Sequence, residues 1–162
     1  DAYMTNHIKS HFAARGVDED RIIIDPRRQR REEFIATYNQ VDIAFEPVPF
    51  GGITTSINAL TMGVPVVAKY EEERVINGGT CSLLKAMGLG ELATLTNEDY
   101  IEQAVKLAND VEKLTLYRTT LRNKALTSSI NSQNYTKDLE QAFRDIWEDC
   151  CESKLSSHAT SS

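Results

Sequence analysis

The sequence predicts an α/β protein with a Rossmann-like, doubly wound parallel sheet and a helical C-terminal extension. Short β-branched runs alternate with helical patterns as far as about residue 95, and helical patterns alone follow. Three of the helical patterns end at a glycine, namely Gly16, Gly63 and Gly88. Glycine in that position favours the left-handed conformation that commonly ends a helix.

Four short apolar runs are predicted as strands: Arg21–Ile24, Val41–Phe45, Val64–Ala68 and Leu92–Leu95. The first is a β-branched run of the kind that is buried on both faces of a parallel sheet. Four strands form a thin sheet, and the sequence opens on a helical pattern. We therefore expect part of a larger Rossmann-type unit.

Seven helices are predicted: Tyr3–Arg15, Arg31–Gln40, Thr54–Met62, Arg74–Met87, Asp99–Asn109, Val111–Leu126 and Tyr135–Cys151. An apolar stripe with helical spacing lies on the last of them. Such a stripe is typical of packing, and we expect apolar surface near this helix or the first strand to be exposed, where the missing lobe would cover it. The stripe consists of Tyr135, Leu139, Phe143, Ile146 and Trp147. We assign residues 1–152 to one lobe and residues 153–162 to a disordered polar tail.

Composition limits the classes of partner. The 162 residues carry 18 Lys and Arg against 24 Asp and Glu, a net charge of −6, which disfavours nucleic acid and anionic membranes. No apolar run approaches the ~18 residues of a membrane span. Three cysteines, an odd number, favour a reducing compartment, so we expect a cytoplasmic or nucleocytoplasmic protein.

The most informative segment follows the second predicted strand, where parallel sheets bind their ligands. Its glycines allow close approach of a ligand, and free amides at the following helix start favour phosphate. The candidate binding residues are Gly51, Gly52, Ile53, Thr54 and Thr55. Asn58, four residues after Thr54, lies on the same helix face and can reach a ribose hydroxyl. A plain glycine turn with an ordinary threonine cap is the alternative.

The basic cluster Arg27–Arg31 has two interpretations. Arg30 or Arg31 could clamp the phosphates, or the cluster could form a solvated loop face. Metal signals are weak: His7 and His11 have helical spacing without a third ligand, and Asp18–Asp20 precedes its strand instead of following one. We therefore expect no metal and no resident cofactor.

One long run resembles the donor-nucleotide motif of the O-GlcNAc transferase family, which includes SPINDLY-type protein O-fucosyltransferases and bacterial cytoplasmic N-glucosyltransferases that modify adhesins. That run extends from Glu46 to Pro65. The similarity continues through five shorter segments and covers about residues 21–151. These segments are Ser82–Leu84, Met87–Gly90, Glu98–Tyr100, Leu107–Asp110 and Trp147–Glu148.

The resemblance implies the C-terminal, sugar-nucleotide-binding lobe of a GT-B glycosyltransferase. It implies that Thr54 and Thr55 meet the diphosphate, and that Asn58 occupies the position of the family's ribose-binding acid. Arg31 occupies the position of a lysine near the nucleotide. Phe34 stands where O-GlcNAc transferase and SPINDLY types have a histidine, and an aromatic residue there is closer to the N-glucosyltransferases.

Two functions from different classes follow from this resemblance. The first is the donor lobe of an inverting glycosyltransferase that uses a UDP-sugar, or alternatively a GDP-sugar, to modify protein side chains. Its N-terminal lobe, and possibly helical repeats, would lie outside this chain, so no catalytic base is assigned and the isolated piece is expected to be inactive. The second is a non-catalytic nucleotide-binding or scaffolding module. A Rossmann-like nucleotide binder unrelated to sugar transfer is a weaker third.

Overall fold

The computed structural model describes residues 2–25, 29–70, 75–128 and 132–159. The chain divides into two compact units, residues 1–34 and residues 35–162. In the first unit, helix α1 (Ala2–Ala13) is followed by Gly16, whose φ of +79° confirms the predicted glycine stop. A single 3-10 turn, Glu19–Arg21, comes next.

The predicted first strand is wrong. Residues 22–25 belong to no strand, and Ile23, in the middle of the apolar run, is 92% exposed. A β-branched run becomes a strand only where another strand accepts its backbone hydrogen bonds. The described residues of the first unit provide no such partner.

The second unit contains a parallel sheet of three short strands, β1 (Ala44–Phe45), β2 (Val66–Lys69) and β3 (Ala93–Thr94), in the order β1-β2-β3. Ala44 is in register with Val66, and Ala68 is in register with Ala93. Each strand lies within or overlaps a predicted run, so the α/β class and the parallel sheet are confirmed with one strand fewer. Parallel pairing places the carboxyl ends of all three strands at one edge of the sheet.

The remaining helices are α2 (Arg31–Thr37), α3 (Ile53–Thr61), α4 (Val75–Ala86), α5 (Asn97–Ala108), α6 (Val111–Thr127) and α7 (Ser132–Ala159). Two 3-10 turns, Tyr38–Gln40 and Gly90–Leu92, precede β1 and β3. The side chain of Thr96 caps α5 by accepting the Asp99 N–H at 3.0 Å, so the helix begins two residues before the predicted Asp99.

The core of the second unit lies between the sheet and its helices. Helix α3 packs on α6, α5 packs on β2 and α6, and α4 packs on β2 and β3. Nine described leucines and valines that are at most 1% exposed fill this core: Leu60, Val64, Val66, Val67, Leu84, Leu89, Leu92, Leu107 and Leu121. This packing fixes where β1 ends and where α3 begins, and the candidate site lies between those two points.

Helix α7 differs from the prediction in where it ends. It continues past Cys151 to Ala159, so it includes residues 153–159 of the predicted polar tail, while residues 160–162 lie outside the described residues. The apolar stripe is exposed, which confirms the expected apolar surface near this helix: Phe143, Ile146 and Trp147 are all more than 60% exposed. The stripe is thus an apolar surface of this chain.

Candidate functional site

The candidate site is the turn between β1 and α3, at the carboxyl edge of the parallel sheet. The chain leaves β1 at Phe45, passes a cis peptide bond between Val48 and Pro49, and enters α3 at Ile53. In open α/β sheets this edge is where ligands bind, because the loops there diverge from the packed core. The structure brings Gly51, Gly52, Ile53, Thr54 and Thr55 together in this single turn.

The first turn of α3 offers three backbone donors. Ser56 is the first residue of α3 whose N–H donates to the carbonyl four residues earlier, that of Gly52, at 3.0 Å. The N–H groups of Ile53, Thr54 and Thr55 precede it and have no acceptor within the helix. These three residues are exposed, so the amides and the positive end of the helix dipole are accessible to an anion.

The two threonines are not equivalent. The Thr55 hydroxyl donates to the Gly52 carbonyl at 2.6 Å, so its hydrogen is already committed within the turn. The Thr54 hydroxyl makes no hydrogen bond within the described part of the chain. Thr54 is therefore the hydroxyl donor that this turn can offer to a ligand.

The glycines of the turn serve local packing. A Cβ added to Gly51 would lie 2.7 Å from Glu46 Oε1, and one added to Gly52 would lie 2.5 Å from Thr55 Oγ1. Neither glycine has a positive φ. From the sequence, these glycines are explained by the close approach of a ligand. The structure gives a second explanation for glycine at these positions, because the protein's own side chains occupy the space that a Cβ would need.

Glu46 is the residue that the sequence analysis missed. It follows β1 and is only 3% exposed, and its carboxylate accepts one hydrogen bond from the Gly52 N–H and another from the Ser56 hydroxyl. Its own N–H donates to Val67 O at 3.0 Å, which ties it to β2. The signal in the sequence was a carboxylate directly after an apolar, strand-forming run, because a carboxylate that becomes buried there needs partners.

Two tyrosines support the turn from neighbouring elements. Tyr100 on α5 donates its hydroxyl to the Glu46 carbonyl at 3.1 Å, and Tyr38 donates its hydroxyl to the Thr55 carbonyl at 3.1 Å. Burial raises the pKa of both phenols, and for Tyr100 the Glu46 carboxylate raises it further. Both hydroxyls therefore stay protonated and act as donors.

Asn58 lies one turn further along α3, half-buried, on the side of the helix that carries Thr54. Its side chain makes no hydrogen bond to the described residues. On the opposite flank, Ile53 packs against Gly79 of α4, where any Cβ would collide with the isoleucine side chain. Helix α4 therefore borders the start of α3.

The remaining predicted site residues belong to the first unit. Arg30 forms an exposed ion pair with Glu33 at 3.4 Å, Arg31 opens α2, and Phe34 is 37% exposed. Their contribution to a site in the second unit stays a prediction. Arg27 and Arg28 of the basic cluster lie outside the described residues.

The described residues contain no group of three or more His, Cys, Asp or Glu side chains placed to hold a metal ion. His7 and His11 of α1 lie edge to face, with their ring centres 4.6 Å apart. No described helix is long and apolar enough to cross a membrane.

Comparisons with known proteins show what the chain as a whole is similar to. The family model described as "Glycosyl transferase family 41" matches residues 2–139. Two similar curated proteins are named probable UDP-N-acetylglucosamine--peptide N-acetylglucosaminyltransferase SPINDLY. The one from Hordeum vulgare is 32% identical over 85% of this chain, and the one from Arabidopsis thaliana is 31% identical over 88%.

A solved structure is also similar. A mutant of the Thermobaculum terrenum O-GlcNAc transferase superposes with a TM-score of 0.81 and 35% identity, over 94% of this chain and 29% of that one. The chain spans only 14% of the Hordeum vulgare protein and 16% of the Arabidopsis thaliana protein. The similarity therefore covers most of this chain and a small part of each relative.

Proposed function

Because the chain belongs to glycosyl transferase family 41, we propose that its second unit binds the nucleoside diphosphate of a sugar donor in a protein glycosyltransferase. One observation carries the proposal: the start of α3 offers three free amides and the Thr54 hydroxyl at the carboxyl edge of a parallel sheet. That set of donors suits a diphosphate, whose oxygens are charged acceptors.

The same donors would assist the chemistry. Transfer of a sugar leaves a nucleoside diphosphate with growing negative charge on its terminal phosphate. The three amides, the helix dipole and Thr54 would stabilise that charge without moving, because the sheet and α3 already hold them in place. Arg31 would add a cation to the leaving group, and Arg30 is the alternative. The proposal needs no metal ion for this step.

Asn58 and Phe34 would bind the nucleoside. The Asn58 side chain lies one turn beyond Thr54, so its amide could hydrogen-bond a ribose hydroxyl while the phosphates occupy the start of the helix. An amide there forms a weaker bond than a carboxylate, so we expect modest affinity. Phe34 would contact the base.

The names of the relatives suggest the substrates. Proteins named UDP-N-acetylglucosamine--peptide N-acetylglucosaminyltransferase imply a UDP-sugar donor and a protein acceptor, and a GDP-sugar is the alternative donor. We propose the same classes for the protein to which this chain belongs. The catalytic base and the acceptor site would then lie in the remainder of such a protein, in its N-terminal lobe.

Calorimetric titration with UDP, GDP and uridine tests the proposal. UDP or GDP should bind at least about tenfold more tightly than uridine, because charged acceptors form the stronger bonds. Thr54→Glu should abolish that preference without loss of stability, because a carboxylate near a helix start is favourable yet occupies the anion site. Thr119→Glu, on the exposed surface of α6, is the matched control. If neither diphosphate binds, the proposal is wrong.

A further inference from the structure

Glu46 is a buried carboxylate, and each of its two oxygens accepts a hydrogen bond from the turn or from α3. Oε1 accepts the Gly52 N–H, and Oε2 accepts the Ser56 hydroxyl from inside α3. The backbone of Glu46 is held from two further directions, by Val67 of β2 and by the hydroxyl of Tyr100. One side chain thus joins the end of the sheet to the start of α3.

These contacts determine which donors face a ligand. The Gly52 N–H would be a further donor at the helix start, but Glu46 takes it. A ligand can then reach only the amides of Ile53, Thr54 and Thr55. The bond to Ser56 holds the first turn of α3 from behind, since the Ser56 side chain is 3% exposed and faces Glu46.

The space around the carboxylate is fully used. A Cβ on Gly51 would come within 2.7 Å of Oε1, so the turn can pass Glu46 at this distance only with glycine at that position. A carboxylate so close to a candidate anion site also opposes the binding of phosphate by its charge. The hydrogen bonds, and not the charge, must therefore be the useful property of this side chain.

We infer that Glu46 is a positioning residue for the donor diphosphate. It holds the Gly51–Gly52 turn and the first turn of α3 so that three amides and the Thr54 hydroxyl converge outward, and it acts by hydrogen bonding. This inference rests on the proposed function. It predicts that glutamine can replace Glu46, because its oxygen can accept the Gly52 N–H while its NH₂ donates to a rotated Ser56 hydroxyl.

Calorimetric titration with UDP, or with GDP if that is the nucleotide bound, tests the inference together with thermal melts of each variant. Glu46→Ala should weaken binding about tenfold or more, since two buried bonds that shape the site are lost. Glu46→Gln should bind within about threefold of the unchanged chain, because it keeps both bonds.

A double-mutant cycle adds a second measurement. Gly51→Ala alone should weaken binding, because its Cβ displaces the carboxylate. In the Glu46→Ala background the same change should have little further effect, since the obstructing atoms are gone. Gly90→Ala is the matched control, because a Cβ there would meet only Lys85 Cγ, at 3.8 Å.

The outcomes separate this inference from the proposed function. A chain that binds neither UDP nor GDP overturns the proposed function, and the role of Glu46 with it. If the unchanged chain binds a diphosphate and folded Glu46→Ala binds it equally well, only the role of Glu46 is overturned. A Glu46→Gln variant as weak as Glu46→Ala also overturns it. If Glu46→Ala does not fold, Gly51→Ala decides, and binding equal to that of the unchanged chain contradicts the inference.

Discussion

Thr54 and Thr55 are adjacent in the sequence but differ in the hydrogen bonding of their hydroxyls. Thr55 closes the turn by donating to Gly52 at 2.6 Å, whereas Thr54 keeps its hydroxyl for a ligand. Each residue also contributes a backbone amide that no side-chain change removes. Substitution of the two threonines should therefore separate binding from stability.

We predict that Thr54→Ala weakens nucleotide binding by about 1.5–3 kcal/mol, the range for a hydrogen bond to a charged group. The free energy of unfolding of this variant should stay within about 0.5 kcal/mol of that of the unchanged chain, because the hydroxyl that is removed is exposed and has no protein partner. Thr55→Ala should show the reverse, with a stability loss of about 1 kcal/mol and a smaller change in affinity. Calorimetry and urea melts measure both quantities, and equal profiles for the two variants would contradict the division of roles.

Cys81 behaves as a core residue although it is a potential nucleophile. It is 1% exposed, and burial raises the pKa of its thiol to about 11, with the nearby Lys85 opposing the shift. At pH 8 its thiolate is therefore scarcer than that of an ordinary cysteine, and reagents cannot reach it. It has no place in the proposed chemistry.

We predict that iodoacetamide at pH 8 modifies Cys150, which is exposed, and spares Cys81 in the folded chain. The rate at Cys81 should rise only as the pH approaches about 11, or when urea unfolds the protein. Mass spectrometry of tryptic peptides gives the site. Rapid modification of Cys81 under native conditions would mean that α4 opens more readily than its packing indicates.

Much of what the site needs was visible residue by residue in the sequence, but its internal bonding was not. The glycine turn and the threonine-rich helix start could be predicted, because both follow an apolar strand in a known pattern. The partners of Glu46 could not, because Gly52 and Ser56 meet its carboxylate only after the loop has folded back. Local sequence also could not separate Thr54 from Thr55.

At the scale of elements, α3 is fixed at both ends. Its start is held by Glu46, and its end by Gly63, which has a φ of +79° and whose Cβ would lie 2.6 Å from the Arg118 carbonyl. Arg118 in turn donates to the carbonyls of Tyr38 and Met62 at 3.1 and 3.2 Å. The close approach of α6 to Gly63 thus sets the position of the whole helix.

We predict that Gly63→Ala destabilises the chain more than Gly88→Ala does. Both glycines have positive φ, so both changes carry the backbone cost of about 1 kcal/mol. Only at Gly63 would the added Cβ also collide with backbone atoms, since a Cβ on Gly88 has nothing within 4 Å. We expect an additional loss of roughly 1–3 kcal/mol for Gly63→Ala, as for overpacking in a core. Urea melts measure the free energy of unfolding of both variants. Equal losses would show that α6 moves away from the added Cβ at little cost.

Element prediction succeeded where the signal is local and failed where it is not. Gly63, Gly88 and Thr96 mark helix ends by their own conformation or side chain, so these boundaries came out close to the predicted ones. The run at residues 21–24 has strand-forming residues, but strand formation depends on a neighbouring strand elsewhere in the chain. The exposed Ile23 shows that composition alone does not provide one.

At the scale of the whole molecule, α7 carries a continuous stripe of exposed apolar side chains. Tyr135, Leu139, Phe143, Ile146 and Trp147 are each at least 40% exposed, and no described side chain of that helix is buried. Exposed apolar side chains in one continuous stripe are unusual for a monomeric domain and mark an interaction surface. The sequence predicted both the stripe and exposed apolar surface near this helix, although periodicity alone does not reveal which side chains remain uncovered.

We predict that this chain in isolation binds the dye ANS and scatters light increasingly with concentration. The combined change Phe143→Ser and Trp147→Ser should reduce both signals, because these two side chains are 63% and 70% exposed at the centre of the stripe. The free energy of unfolding should change by less than about 1 kcal/mol, since little of their surface is buried in the fold. Leu116→Ser, which changes a 57% exposed leucine of α6, is the matched control and should leave the scattering unaltered. If the chain stays monomeric and gives no ANS fluorescence at high concentration, the apolar stripe of α7 is covered by other parts of the chain in solution.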